Sequence, residues 1–167
     1  MKKVLLILSI CMLFACSTQE NTAVKTLSMS PEEMLAKIHA NNDVNNEVAF
    51  QALPDEDLLD LRDKARQAQT DGNLERAQTL LTQALVINAQ DPEAIQMQAE
   101  LALLQKSFAN AERLALSSYK AGPKLGGLCR RNWLTIHYAK SAQGLPTTED
   151  QLAKHLAECT VVPAARM

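Results

Sequence analysis

The chain has 167 residues, 47% apolar and 22% charged, with a formal net charge of −2, six aromatics, five glycines and four cysteines. That length suits one domain with a tail, and the balanced charge and scarce aromatics exclude a nucleic-acid module built on a basic face and stacking platforms. So few glycines leave little room for phosphate-cradling loops or a turn-rich β-sandwich, which points to an all-α protein.

Met1-Lys2-Lys3 precedes an apolar run, Val4 to Ala15, and then Cys16-Ser17. A charged start and about a dozen apolar residues form a secretory signal too short for a comfortable membrane span. Leu13-Phe14-Ala15-Cys16 resembles the bacterial lipobox, where a signal peptidase cuts before a lipid-modified cysteine. The resemblance implies a signal peptide over 1–15 and a mature protein that begins at an acylated Cys16. Ser17 in place of Asp resembles lipoproteins sent to the outer membrane of a Gram-negative cell, facing the periplasm. Processing would leave 152 residues, and losing Lys2 and Lys3 would take the net charge from −2 to −4. Cys129 and Cys159 would then be the two remaining thiols, in an oxidising compartment.

Residues 16–29 show no apolar period and are expected to form a flexible lipidated tether. Ser30-Pro31-Glu32-Glu33 opens a helical extension over 30–54: an N-cap, a proline at the first helical position and acids facing the helix dipole. Its first helix should bury Met34, Leu35 and Ile38 and end at Asn41-Asn42. A second short helix is expected from Val44 to Leu53. Six further helices follow over roughly 55–70, 74–88, 92–105, 108–121, 126–142 and 147–159. Gly72, Gly122 and Gly144, with Pro54, Pro92, Pro123 and Pro146, fall in the gaps or at helix starts. None interrupts a helix interior, where each would cost about 1 or about 3 kcal/mol. Residues 161–167 read as a tail.

The segments repeat at an offset of 34 residues. Leu61, Ala65, Ala68, Leu74, Ala77, Leu81 and Ala84 align with Ile95, Ala99, Ala102, Phe108, Ala111, Ala115 and Ser118. This pattern resembles the tetratricopeptide repeat, most closely over Gly72 to Leu85. There are departures: Ala68 and Ala102 replace a large aromatic, and Lys106 replaces the turn glycine. The expected architecture is a set of tandem antiparallel hairpins in an α-solenoid. Two repeats span 55–125, and a third, disulfide-closed hairpin spans 126–160.

Cys129 and Cys159 each lie fifteen residues from Gly144, so an antiparallel hairpin turning there would set the sulfurs side by side. Unpaired structural thiols, or a metal held by His155 and Cys159 four apart, are the alternatives. Trp133 would pack against the sulfur pair or serve as a partner hot spot. Arg130 and Arg131 would line a solvated face or bind an acidic ligand. His39 and His137 read as surface or half-buried histidines, and Glu100 and Glu112 sit on helix faces that normally meet water.

No nucleophile–base pair, paired-carboxylate signature or dense ligand cluster stands in the sequence, so neither an enzyme nor a cofactor is expected. The resemblance implies a protein-binding scaffold whose concave groove is lined by the first helix of each repeat, at Arg62, Arg66, Gln69, Gln96, Glu100, Leu103 and Leu104. The partner would be an envelope protein or peptide carrying a short amphipathic segment, with the membrane engaged through the N-terminal lipid. An envelope hydrolase or metal-dependent enzyme, and a self-associating structural lipoprotein, are the alternatives.

Overall fold

A computed structural model describes residues 29–40 and 55–160. The expected signal peptide, Cys16, the expected tether before Met29, the helix expected over 44–53 and the expected tail lie outside the described residues. Those described form seven helices and no strand. They are α1 (Pro31–Ala40), α2 (Glu56–Thr70), α3 (Leu74–Ile87), α4 (Pro92–Leu104), α5 (Phe108–Ala121), α6 (Gly126–Ala142) and α7 (Glu149–Glu158). The protein is all-α, and its helix ends fall within two residues of those read from the sequence.

Local chemistry sets these ends. Ser30 Oγ accepts from the Glu33 amide while the Glu33 carboxylate accepts from the Ser30 amide, a reciprocal cap at the start of α1. Thr148 and Gln151 make the same box at α7. Asp55, Asn73 and Asp91 cap α2, α3 and α4 through their side-chain oxygens.

The three hairpin turns share one backbone solution. Asn73 donates to the Ala68 carbonyl and Gly72 to Gln69; Ser107 donates to Ala102 and Lys106 to Leu103; Leu145 donates to Lys140 and Gly144 to Ser141. Each pair closes a Schellman motif, which needs a residue with positive φ just past the helix. Gly72 and Gly144 supply it at φ 76° and 68°. Lys106 adopts φ 59° despite its Cβ, so the missing turn glycine leaves the turn type unchanged.

Short turns make successive helices antiparallel neighbours, and α2 packs on α3, α4 on α5, and α5 on α6. Alternate helices α2, α4 and α6 also touch, whereas α3 and α5, and α5 and α7, do not. Ala65, Ala77, Ala84, Ala99, Ala111 and Ala115 are wholly buried at the crossings, where small side chains let the axes approach. Gly122 serves the same end: a Cβ there would lie 3.0 Å from the Pro92 Cβ and 3.2 Å from Leu128 Cδ2.

One apolar cluster joins α2, α3 and α4 around Leu58, Leu81, Met97 and Leu101. A second gathers Met34 and Ile38 of α1 with Leu103, Leu134, Tyr138 and Leu152. Leu35 is only half-buried rather than part of this core. In the third hairpin Cys129 and Cys159 meet at the end away from the Gly144 turn, with Cα atoms 5.6 Å apart and sulfurs at bonding distance. The Gly126 amide donates to the Cys159 carbonyl at the same end.

Candidate functional site

All seven residues expected to line a groove lie on two helices, Arg62, Arg66 and Gln69 on α2 and Gln96, Glu100, Leu103 and Leu104 on α4. Position 34 residues apart gives equivalent places on α2 and α4: Arg62 matches Gln96, Arg66 matches Glu100, and Gln69 matches Leu103. The two helices treat these places differently.

On α2, Arg66 is exposed and reaches back to Asp63, and Gln69 is half-buried. Arg62 is buried, a correction to its expected place on the groove surface. Its guanidinium meets the Asp91 carboxylate at 3.2 and 3.3 Å, while Asp91 Oδ1 also accepts from the Ala94 amide at 2.7 Å. One carboxylate therefore caps α4 and ties it to α2, so Arg62 has a structural job.

On α4 the corrections are larger. Gln96, Glu100 and Leu103 are buried, Glu100 with only 1% of its surface exposed. Helix α1 lies against α4 and α6 and against no other described helix. Met34 and Ile38 close over Leu103, and Leu104 is half-buried on the opposite side with the α2 cluster. The expected groove is thus already filled, over its second half, by the chain's own N-terminal helix.

Beneath α1 sits a charge cluster. Glu100 Oε1 accepts from Arg131 Nε at 3.0 Å, from Arg131 Nη2 at 2.9 Å and from Gln96 Nε2 at 3.0 Å. Gln96 Nε2 also donates to Thr135 Oγ1 at 2.8 Å. Arg131 Nη1 reaches Glu93. On the other oxygen, His39 Nε2 of α1 stands 3.0 Å from Glu100 Oε2. Burial by itself would raise the Glu100 pKa, but the Arg131 guanidinium and the hydrogen bonds and charge of His39 outweigh it and hold the carboxyl at about 2. Burial likewise disfavours the Arg131 cation, and the Glu100 and Glu93 carboxylates more than reverse this.

Arg131 is therefore buried in an ion pair rather than lying on a solvated face. Arg130 is half-buried. Glu112 is half-buried and accepts from Gln143 Nε2 at 3.2 Å, while Glu100 is the inward-facing exception among the repeat-helix acids.

The third hairpin carries a separate cluster of rings. Trp133 stacks on His155 with centroids 3.6 Å apart and planes 3° from parallel, and Tyr119 lies 4.9 Å away. His155 is thus committed to Trp133 and, through Nδ1, to Glu158. His137 is buried, with Nδ1 at 3.0 Å from Thr147 Oγ1 and Nε2 at 3.3 Å from Glu149. Burial first and Glu149 second raise the Tyr138 pKa. Trp133, Ile136, His137, Lys140, Thr147 and His155 surround a small cleft between α6 and α7. Among the described residues no three His, Cys, Asp or Glu side chains converge on a common point, and no helix is long and apolar enough to cross a membrane.

Sequence reading missed the Glu100–Arg131–Glu93 cluster and the seating of α1. A signal for the covering of α4 was present. Helix α4, PEAIQMQAELALL, is apolar over most of its circumference, interrupted by Gln98 and the Glu93–Gln96–Glu100 stripe, the mark of a helix largely surrounded by others. No protein-family model, no curated protein and no solved structure matches this chain.

Proposed function

We propose that this protein is a lipid-anchored, periplasm-facing scaffold that binds an envelope protein or peptide along the side formed by α2, α4 and α6. In this reading the hairpins are tetratricopeptide-like repeats in a short solenoid. The 34-residue period, the shared turn and the contact among alternate helices on one side only all support it, because such contacts bend the array toward that side. The observation that carries the reading is the seating of α1. A surface that accepts an amphipathic helix with apolar residues at Met34 and Ile38 and a basic group at His39 is a surface built for helical ligands.

Anchoring at the outer membrane of a Gram-negative host rests on the lipobox-like Leu13 to Cys16 and on Ser17. An acylated Cys16 would hold the domain at the bilayer, and an oxidising periplasm would keep Cys129 and Cys159 bonded. Cys16→Ala should move the protein from the membrane to the soluble fraction; a variant that stays firmly with the membrane would refute the anchor.

The scaffold is tested with photo-crosslinking residues placed at Arg66 or Gln69 on one side, and at Thr79 or Thr82 on the other, in cells. One discrete adduct from the first pair and none from the second is the expected result. Equal or absent labelling from both would sink the binding face.

A further inference from the structure

We infer that α1 is an exchangeable occupant, and that its seat on α4 and α6 receives an amphipathic helix of a partner protein with two apolar residues four apart and a basic residue directly after the second. The inference rests on the scaffold reading and adds the chemistry of the ligand. Helix α1 stands apart from the hairpin array: it skips α2 and α3 and lies on α4 and α6, with fifteen residues, 41–55, between its end and the start of α2. Among the described helices, its departure breaks contacts with α4 and α6 alone.

Its hold is narrow. Ten residues make a helix too short to persist alone, so its order depends on the seat. Pro31, Met34 and Ile38 are its buried residues, and the last two lie one turn apart on the same face. A further anchor is polar and lies at the rim: the His39 side chain is 44% exposed where it meets Glu100.

The seat selects for charge. Glu93 and Glu100 share Arg131, so two carboxylates face one guanidinium and the buried cluster retains one negative charge. Among the described residues the partner on Glu100 Oε2 is His39 Nε2, at 3.0 Å, which comes from the occupant rather than from the array. A lysine or arginine at the same place on an incoming helix would pair with Glu100 as well or better, and an acidic residue there would be repelled. The seat thus fits a basic amphipathic helix.

The test uses the full mature chain and a fluorescein-labelled synthetic peptide of residues 29–40. In wild type the chain's own α1 competes as a tethered ligand, so the peptide should bind at least tenfold more tightly to an Ile38→Glu chain than to wild type. On that chain, a peptide with lysine in place of His39 should bind at least as well as the parent peptide. One with glutamate there should bind at least tenfold more weakly. In wild type, α1 amides should exchange with deuterium before those of α4 and α6.

Equal binding to both chains, or no binding to a folded Ile38→Glu chain, would overturn the inference. So would α1 amides that exchange only on global unfolding. If Ile38→Glu does not fold, Ile38→Ala takes its place with the same criteria. A wild-type dimer that Ile38→Glu dissociates would assign the seat to a second copy of this chain and overturn the partner helix. The probe is independent of any cellular partner, so its failure leaves the crosslinks at Arg66 and Gln69 standing, and their failure leaves the peptide result standing.

Discussion

The α2–α3 and α4–α5 hairpins are copies of one plan set 34 residues apart, yet their surroundings are opposite. Both use alanine at the crossings, both close with the same turn, and equivalent places on α2 and α4 carry polar side chains. Helix α2 lies at one end of the described array, against α3 and a corner of α4, so Arg66 stays in water. Helix α4 has α1, α2, α3, α5 and α6 around it, so Glu100 is sealed. Placement in the array, rather than helix-local pattern, decides whether a polar residue is a surface group or part of a buried network.

The sharpest way to break that comparison is to remove both equivalent residues. Glu100→Ala should lower stability in urea by about 3 kcal/mol, because it removes the buried acceptor shared by Arg131, Gln96 and His39 and leaves Arg131 with Glu93 alone. Arg66→Ala should change it by less than about 0.5 kcal/mol. Similar losses at both positions would mean that the two hairpins share one environment. The third hairpin, which ends the described array, extends the contrast. Replacing Cys129 and Cys159 by serine should cost about 3–4 kcal/mol for the 30-residue loop, with deuterium exchange rising first over residues 126–159. Two free thiols in protein purified without reductant would contradict the crosslink.

Acid should separate the hairpins as well. The Glu100 carboxyl is held below its unfolded value of about 4.5, so its contribution is fully present above pH 4.5 and is lost as pH falls toward 2. Roughly 2–3 kcal/mol of stability should disappear over that window in wild type and not in Glu100→Gln, as read from urea melts at each pH. The smallest effect lies in the turns. Lys106→Gly should stabilise by about 1 kcal/mol by relieving a left-handed backbone, and Gly72→Ala should destabilise by about 1–2 kcal/mol. A Cβ at Gly72 meets nothing within 4 Å, so the second change isolates backbone conformation from crowding.

Helix ends, turn positions and the approach of Cys129 to Cys159 were legible in the sequence because each depends on neighbours along the chain. Caps at Asn73 and Asp91 and glycines at 72 and 144 act over a few residues, and the two cysteines are related by a single turn. Glu100 was not legible. Its partners, His39 and Arg131, are 61 and 31 residues away, and nothing local distinguishes a glutamate that will be sealed from one that will face water. The same holds for Leu103, whose cover comes from α1, and for Arg62, whose carboxylate partner stands 29 residues on. Helix α4 alone gave warning that it would be covered, through the apolar residues that fill its circumference outside the Glu93–Gln96–Glu100 stripe.

The seating of α1 also orders events in time. Helix α1 is among the first described residues to be synthesised, but its seat includes Arg131, Leu134 and Tyr138 of α6, about a hundred residues later. Hairpin contacts close loops of a few residues and form quickly, whereas the docking of α1 must wait until α4 and α6 are both in place. A chain emerging N-terminus first therefore carries an unsatisfied amphipathic segment through most of its own synthesis. It then completes the fold by a slow, long-range step, which should appear as the last kinetic phase in refolding and vanish in the Ile38→Glu chain.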